Sequence, residues 1–240
     1  MTKLLYQTDS YIQAFDATIS AHDTENHGVV LDPTAFFPGG GGQPYDQGKL
    51  HLDQTTYIVM RTRKIGTQIV HVLESEGPLP EVGTKVRGQI DWKRRYQLMR
   101  THTAMHILCG VVFRDYHASV TGGDMSPLKG RMDFEFETMR QELIASIEVA
   151  INQEVANARD IRVDILPREQ AFQIPDLIRT KINLLPEGIR EVRTVEIIGL
   201  DLQADGGTHV HNTSEVGPIH ITDYKSKGKI NKRIYIELDV

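Results

Sequence analysis

The chain has 240 residues, of which 40% are apolar and 25% charged, with a formal net charge of −5 and a single cysteine, Cys109. That length can bury one large core or two modest ones, the lone cysteine excludes a disulfide framework or a cysteine-rich zinc module, and the negative net charge argues against indiscriminate coating of nucleic acid. No apolar run approaches the roughly 20 residues that cross a bilayer, and MTKLLYQTDSYIQAF lacks the apolar segment of a signal peptide, so no membrane is expected as a partner and the expected location is cytoplasmic.

The first ninety residues read as short extended runs, DATISAH, GVVLD, LHLD, TTYIVMR, TQIVHVL and TKVRGQID, separated by turn signals. Such spacing predicts a small antiparallel sheet or barrel. Within it lies AFFPGGGGQPYDQGKL, Ala35 to Leu50. Four successive glycines leave the backbone free to take positive φ and to approach a ligand closely. The stretch lacks the Lys-Ser/Thr of a phosphate loop and does not fit a dinucleotide fingerprint. It is either a flexible linker or an ordered loop facing a substrate, and the adjoining Phe36, Phe37, Gln43, Pro44 and Tyr45 favour the second. EGPLPEVG, Glu76 to Gly83, is a turn-rich stretch before the last run.

The character changes near Trp92. From Arg94 to Phe113, Leu98, Met105, Leu108 and Val112 recur at helical spacing, widened by Ile107 and Val111. Within this helix RTHTAMHIL sets His102 and His106 four apart on one face, a common zinc half-site and also a common accident. Cys109, three residues on, is expected in the core. Thr138 with Gln141 fits a capping box for a second helix, whose expected core row is Leu143, Ile147, Ile151 and Val155. Strand-like runs surround the helices: KGRMDFEF, IRVDILP, REVRTVEIIG, VGPIHITDY and KRIYIEL. The expected fold class is therefore α+β, a small β-barrel-like domain over 1–90 followed by a two-layer α+β domain over 91–240.

Near the C-terminal end, ADGGTHVHNT sets Asp205 four residues before His209 across two glycines, in a tight turn after the strand ending near Gly199. The pair could serve metal chemistry, act as a general acid and base, or form a polar turn. Together with His102 and His106 it offers three imidazole nitrogens and one carboxylate oxygen, a set that suits zinc. Two basic clusters, WKRRYQLMR and YKSKGKINKR, could touch phosphate or form solvated faces.

Taken in order, LDPTAFFPGGGGQPYDQG, RTHTAMHIL, VTGG followed by GRMDFEF, GGTHVHNTSEVG and SKGKINKRIYIEL resemble the AlaX family, free-standing relatives of the editing domain of alanyl-tRNA synthetase, in its medium-length class. The resemblance implies a β-barrel-like glycine-motif domain, an α+β editing domain, one zinc ion per chain, and hydrolysis of mischarged tRNA(Ala) without ATP. No aminoacylation domain precedes the editing region, so action in trans on seryl-tRNA(Ala), and on glycyl-tRNA(Ala) as a second substrate, is expected. A synthetase pocket shaped for alanine cannot strongly exclude smaller glycine and discriminates imperfectly against the serine hydroxyl, which makes a second sieve useful.

On this reading His102, His106, Asp205 and His209 hold the ion, and Gln43 and Asp205 stand at the reaction centre. Thr34, Gly40, Gly41, Gly42, Thr103 and Thr121 contact the aminoacyl end, with Thr34 where the family reading puts a serine-sensing threonine. Arg94, Arg95, Arg100, Lys225, Lys227, Lys229 and Arg233 hold tRNA phosphates at the acceptor end. Many relatives carry cysteine where Asp205 stands, so a hard oxygen replaces a soft sulfur. That departure keeps open a non-catalytic tRNA-binding module derived from the same fold. Gly39 and Phe37 replace a glutamate and a tyrosine common in the family.

Overall fold

The computed structural model describes residues 2–74, 77–178 and 188–240. Glu76, the first residue of the expected turn-rich stretch, lies outside them. The chain divides into two compact units, 1–96 and 97–240.

In the first unit, β1 (Lys3–Leu4), β2 (Ala14–Asp23), β3 (Gly28–Leu31), β4 (Pro33–Thr34), β5 (Gly48–Leu52), β6 (Thr55–Ile65), β7 (Gln68–Leu73) and β8 (Lys85–Ile90) follow in chain order. Six of them close into a barrel of order β2-β3-β7-β6-β5-β8, while β1 and β4 pair in parallel. β8 shows the local rule: KVRGQI alternates exposed and buried residue by residue, so Val86 and Ile90 point inward. They join Ile19, Leu31, Phe36, Leu50 and Val59 in a core of β-branched, leucine and aromatic side chains. Closure removes sheet edges that would otherwise invite pairing with other chains. Gly88 has a packing reason, since a Cβ there would lie 2.5 Å from the Phe15 ring.

The glycine stretch is an ordered loop. Gly39, Gly40, Gly41 and Gly42 all have positive φ, and Gly40 and Gln43 exchange both backbone hydrogen bonds at 3.0 Å. The Phe37 amide donates to Asp46 Oδ2 at 2.6 Å and the Asp46 amide to the Phe37 carbonyl at 2.9 Å, which closes the loop at its base. Arg95, fully buried, ion-pairs with Asp46 and donates to the carbonyls of Ser10 and Ala35.

The second unit is built around α1 (Trp92–Tyr116), whose first turns belong to the barrel unit. The expectation was an amphipathic stripe, yet every residue from Thr101 to Val112 is buried. A helix buried all round is a core element. Next come β9 (Val120–Ser126), β10 (Lys129–Glu135), α2 (Gln141–Ala156), β11 (Ile161–Pro167), α3 (Arg168–Ala171), β12 (Glu191–Ile197), β13 (Asp201–Ala204), β14 (Ile219–Ser226) and β15 (Asn231–Leu238). They form one sheet of order β14-β15-β10-β9 and another of order β11-β12-β13, all antiparallel. The alternation of NKRIYIEL in β15 turns Lys232, Ile234, Ile236 and Leu238 inward.

Two expectations are corrected. Thr138 does not cap α2: Arg140 occupies the N-cap, with no side-chain cap bond. The fully buried row of α2 is Ile144, Ile147, Ile151 and Glu154, because the helix is turned so that Leu143 and Val155 reach only its flanks. Glu154 is tolerated there because Arg114, Arg159 and Asn157 all donate to its carboxylate.

Candidate metal centre

The i, i+4 spacing on α1 brings His102 and His106 together with ring centroids 5.1 Å apart. The other two members follow β13. The Asp205 amide donates to the Arg193 carbonyl at 3.1 Å, and the Asp205 carboxylate accepts from the Gly207 amide at 2.8 Å, an Asx-type turn over the glycine pair. Downstream, Asn212 is tied to the Ala158 carbonyl and to Asp160 and caps the short 3₁₀ turn Thr213–Val216 in a reciprocal box with Glu215. Both ends of ADGGTHVHNT are thus fixed, which holds Asp205 and His209 over α1. His211, by contrast, is exposed.

One ligand atom from each of His102, His106, Asp205 and His209 lies within 4.8 Å of all the others. The rings of His102 and His209 stack at 4.2 Å, and His106 meets His209 edge-on at 4.7 Å. Asp205 approaches His209 Nε2 at 3.1 Å and His102 Nε2 at 3.6 Å. A tetrahedral zinc ion with bonds of about 2.0 to 2.2 Å sets its ligand atoms about 3.3 Å apart; the two Asp205 separations match that spacing, and an ion would draw in any pair that stands as far apart as 4.8 Å.

Protonation suits ligation at two of the three rings. Burial lowers His102 well below its usual value and His209 to about 4, so at neutral pH both offer lone pairs. Burial pulls His106 down too, but the Asp201 carboxylate at Nδ1 outweighs it and raises the ring. Burial alone would raise the Asp205 carboxyl, yet the surrounding imidazoles hold it well below the ordinary carboxylate range. The cluster is one anion among imidazoles with donor atoms turned to a common point, and it could hold a metal ion.

Three further residues, none singled out by motif, build the surroundings. Asp201 Oδ2 sits 3.1 Å from His106 Nδ1, and Gln203 Nε2 donates to the same oxygen at 2.7 Å. A carboxylate there fixes the Nδ1–H tautomer and leaves Nε2 for a metal. Arg193 Nη1 donates to the Asp205 carbonyl at 3.0 Å and lies 3.7 Å from its carboxylate. The signal that could have found Asp201 and Gln203 is the period of two in β13, which puts them on one strand face. Cys109 is buried as expected and accepts from Gln203 Nε2 at 3.3 Å.

The other expected site residues fall into two groups. Thr34 is wholly buried; its hydroxyl lies 2.8 Å from His71 Nε2 and accepts from the Phe36 amide. His71 Nδ1 faces the Val29 carbonyl at 3.1 Å, so Nε2 is the accepting nitrogen and the Thr34 proton is spent on it. Thr103, also wholly buried, meets His209 Nδ1 at 3.1 Å and orients that ring. Gln43 is buried in the glycine loop, Gly40, Gly41 and Gly42 are exposed, and Thr121 is exposed and donates to Asn231.

Among the cations, Arg95 is a correction. It is 0% exposed and ion-paired with Asp46, so its charge is used inside the protein and cannot reach a phosphate. Arg100 donates to the carbonyls of Val216 and Asp239. Arg233 is held by both oxygens of Asp133, and Lys225 pairs with Asp223. Lys227 and Lys229 are exposed on the β14–β15 hairpin.

Residues 6–94 match the family described as tRNA synthetases class II (A), and residues 192–235 match the threonyl and alanyl tRNA synthetase second additional domain. The chain is 40% identical to the alanyl-tRNA editing protein AlaX-M of Saccharolobus solfataricus over 98% of both chains. It is 37% identical to the alanyl-tRNA editing protein AlaX-M of Methanosarcina mazei over 99% of this chain and 97% of that one. The alanine–tRNA ligase of Pyrococcus abyssi is 37% identical over 92% of this chain, a match that covers 24% of the ligase.

Proposed function

The chain belongs to the AlaX-M alanyl-tRNA editing proteins, and from that premise we propose that this aminoacyl-tRNA deacylase acts chiefly on seryl-tRNA(Ala), and on glycyl-tRNA(Ala) as a second substrate, at a zinc centre. The observation that carries the reading is the convergence of His102, His106, Asp205 and His209, drawn from a helix and a loop a hundred residues apart. When bound, zinc supplies a Lewis acid that can polarise an ester carbonyl, lower the pKa of water, or grip the α-amine of the aminoacyl group.

The protein's own groups account for the rest. Asp201 fixes the tautomer of His106, and Thr103 orients the His209 ring. Asp205, ionised and 3.1 Å from His209 Nε2, is either a ligand or a base that takes a proton from attacking water. The Gln43 side chain and the amides of Gly41 and Gly42 are the donors for the oxyanion of the tetrahedral intermediate, with Gly40, whose amide is bonded to the Gln43 carbonyl, shaping the loop that contacts the aminoacyl end. Thr34, its proton committed to His71, retains one lone pair and would sense serine only by accepting the serine proton; alanine would leave that acceptor unmatched, at a cost of about 1 to 3 kcal/mol. Thr121 is the exposed alternative. Arg94, Arg100, Lys227 and Lys229 hold acceptor-end phosphates, whereas Lys225 and Arg233 would join them only by giving up Asp223 and Asp133.

Deacylation of tRNA(Ala) charged with serine, glycine or alanine tests this directly. Serine is released fastest and alanine is spared, and His102→Ala loses both bound metal and serine release. Equal inertness towards all three esters with zinc supplied would refute the reading. Tight tRNA binding without hydrolysis would instead identify a binding module.

A further inference from the structure

The barrel unit carries a second cationic feature, apart from the basic hairpin. Tyr45 follows the glycine loop, and its ring gathers two guanidiniums: Arg61 Cζ lies 5.2 Å and Arg94 Cζ 5.9 Å from its centroid. Arg61 comes from β6 and is exposed; Arg94 comes from the first turn of α1 and is half-buried. The backbone also ties the group together, because Arg94 Nε and Nη2 both reach the Tyr45 carbonyl, at 3.4 and 3.3 Å.

Charge accounting sets this cluster apart. Arg95 is neutralised by Asp46, Arg87 by Asp16, Arg114 by Asp115 and Glu154, and Arg233 by Asp133. Among the described residues no carboxylate pairs with Arg61 or Arg94. The Asp91 carboxylate just before α1 accepts from the Arg94 amide at 3.2 Å and is not ion-paired with its guanidinium. Two guanidiniums gathered on one ring repel each other unless an anion is shared. Arg94 spends its Nε–H and one Nη2–H on the Tyr45 carbonyl, and its remaining N–H donors, with those of Arg61, are the ones placed to meet phosphate oxygens.

We propose that Tyr45, Arg61 and Arg94 form a phosphate-binding site for the RNA strand of the substrate, beside the glycine loop. The site rests on the tRNA substrate of the preceding section, and it names where on the barrel unit that strand is held. Its contacts are to the sugar-phosphate backbone, so they position the aminoacyl end without reading sequence. Tyr45 contributes by pre-organising the two cations.

Arg61→Gln, Arg61→Lys and the double variant Arg61→Gln/Arg94→Gln are compared with the parent for binding of uncharged tRNA between about 50 and 200 mM salt, the range over which phosphate contacts are read, and for deacylation of seryl-tRNA(Ala). Each lost arginine should lower the slope of log affinity against log salt by about 0.7 to 0.9. KM should rise about fivefold or more per arginine, with kcat at saturation and bound metal unchanged. Arg61→Lys should keep the slope, since it keeps the charge. An unchanged slope in the double variant, or equal loss in Arg61→Gln and Arg61→Lys, would overturn the proposal. The uncharged-tRNA measurement decides the site even if the parent hydrolyses nothing, an outcome that would instead count against the deacylase reading.

Discussion

At the scale of single residues, the centre shows how a neighbour with no reactive role sets the chemistry of one that has it. His106 presents Nε2 because Asp201, an acceptor only, claims its Nδ1–H, and the Thr103 hydroxyl at Nδ1 turns the His209 ring so that its Nε2 faces Asp205. Removing such a partner typically weakens metal affinity about 10- to 100-fold without unfolding the site. Asp201→Asn is therefore expected to lose zinc to a chromogenic chelator at correspondingly lower chelator concentration. Parental affinity in that competition would show that Asp201 does not orient the ligand. Asp205→Cys is expected to retain stoichiometric metal, because a thiolate is itself a good zinc ligand; metal analysis after dialysis against weak chelator checks this, and an empty variant would show that the loop is built around a carboxylate.

At the scale of elements, the glycine loop illustrates why a flexible sequence can be rigid. Its four positive-φ residues are permitted by glycine, but its base is clamped by Asp46, which bonds the Phe37 amide and pairs with Arg95 from α1. Both partners of that ion pair are buried. Taking one away leaves an uncompensated buried charge, which costs about 3 to 5 kcal/mol. Arg95→Met should lower the denaturant midpoint accordingly, whereas Arg94→Gln, which loses only contacts to a neutral carbonyl and a ring, should shift it little. Similar small shifts for both would mean that Arg95 is not the clamp. In α2 the contrast is between Ile147, wholly buried, and Val149, 73% exposed on the same helix; truncating the first to alanine should cost about 2 to 5 kcal/mol and the second almost nothing, as chemical denaturation would report.

For the molecule as a whole, stability should fall steadily on acidification. Burial lowers the His71 imidazole from 6.5 to about 4. Between those values the unfolded chain binds a proton that the folded chain refuses, so stability declines as pH drops through that window. Asp133, bonded by Arg233, and Glu154, where bonds from Arg159 and Arg114 outweigh burial, have lowered carboxyl values. Their contribution is present above the ordinary carboxylate range and is lost as pH falls below it. Urea midpoints measured from pH 8 down to pH 4 check the sign of the His71 contribution, and a midpoint that holds steady across that range contradicts it. Among the described residues no helix is long and apolar enough to cross a membrane.

The sequence by itself determined the alternation that makes the barrel strands and β15, the i, i+4 histidines on α1, and the glycine loop, because each depends on a local period or on backbone freedom. It also brought Asp205 and His209 within one turn of each other. Only the tertiary structure decided that Arg95 is a buried anchor rather than a phosphate contact, that Thr34 spends its proton on His71, and that Asp201, Gln203 and Arg193 surround the metal ligands. Capping failed for the same reason at Thr138, where the chain path starts α2 two residues later than the motif suggests. Pairing across long separations in the chain depends on which faces packing brings together, and no local period records that.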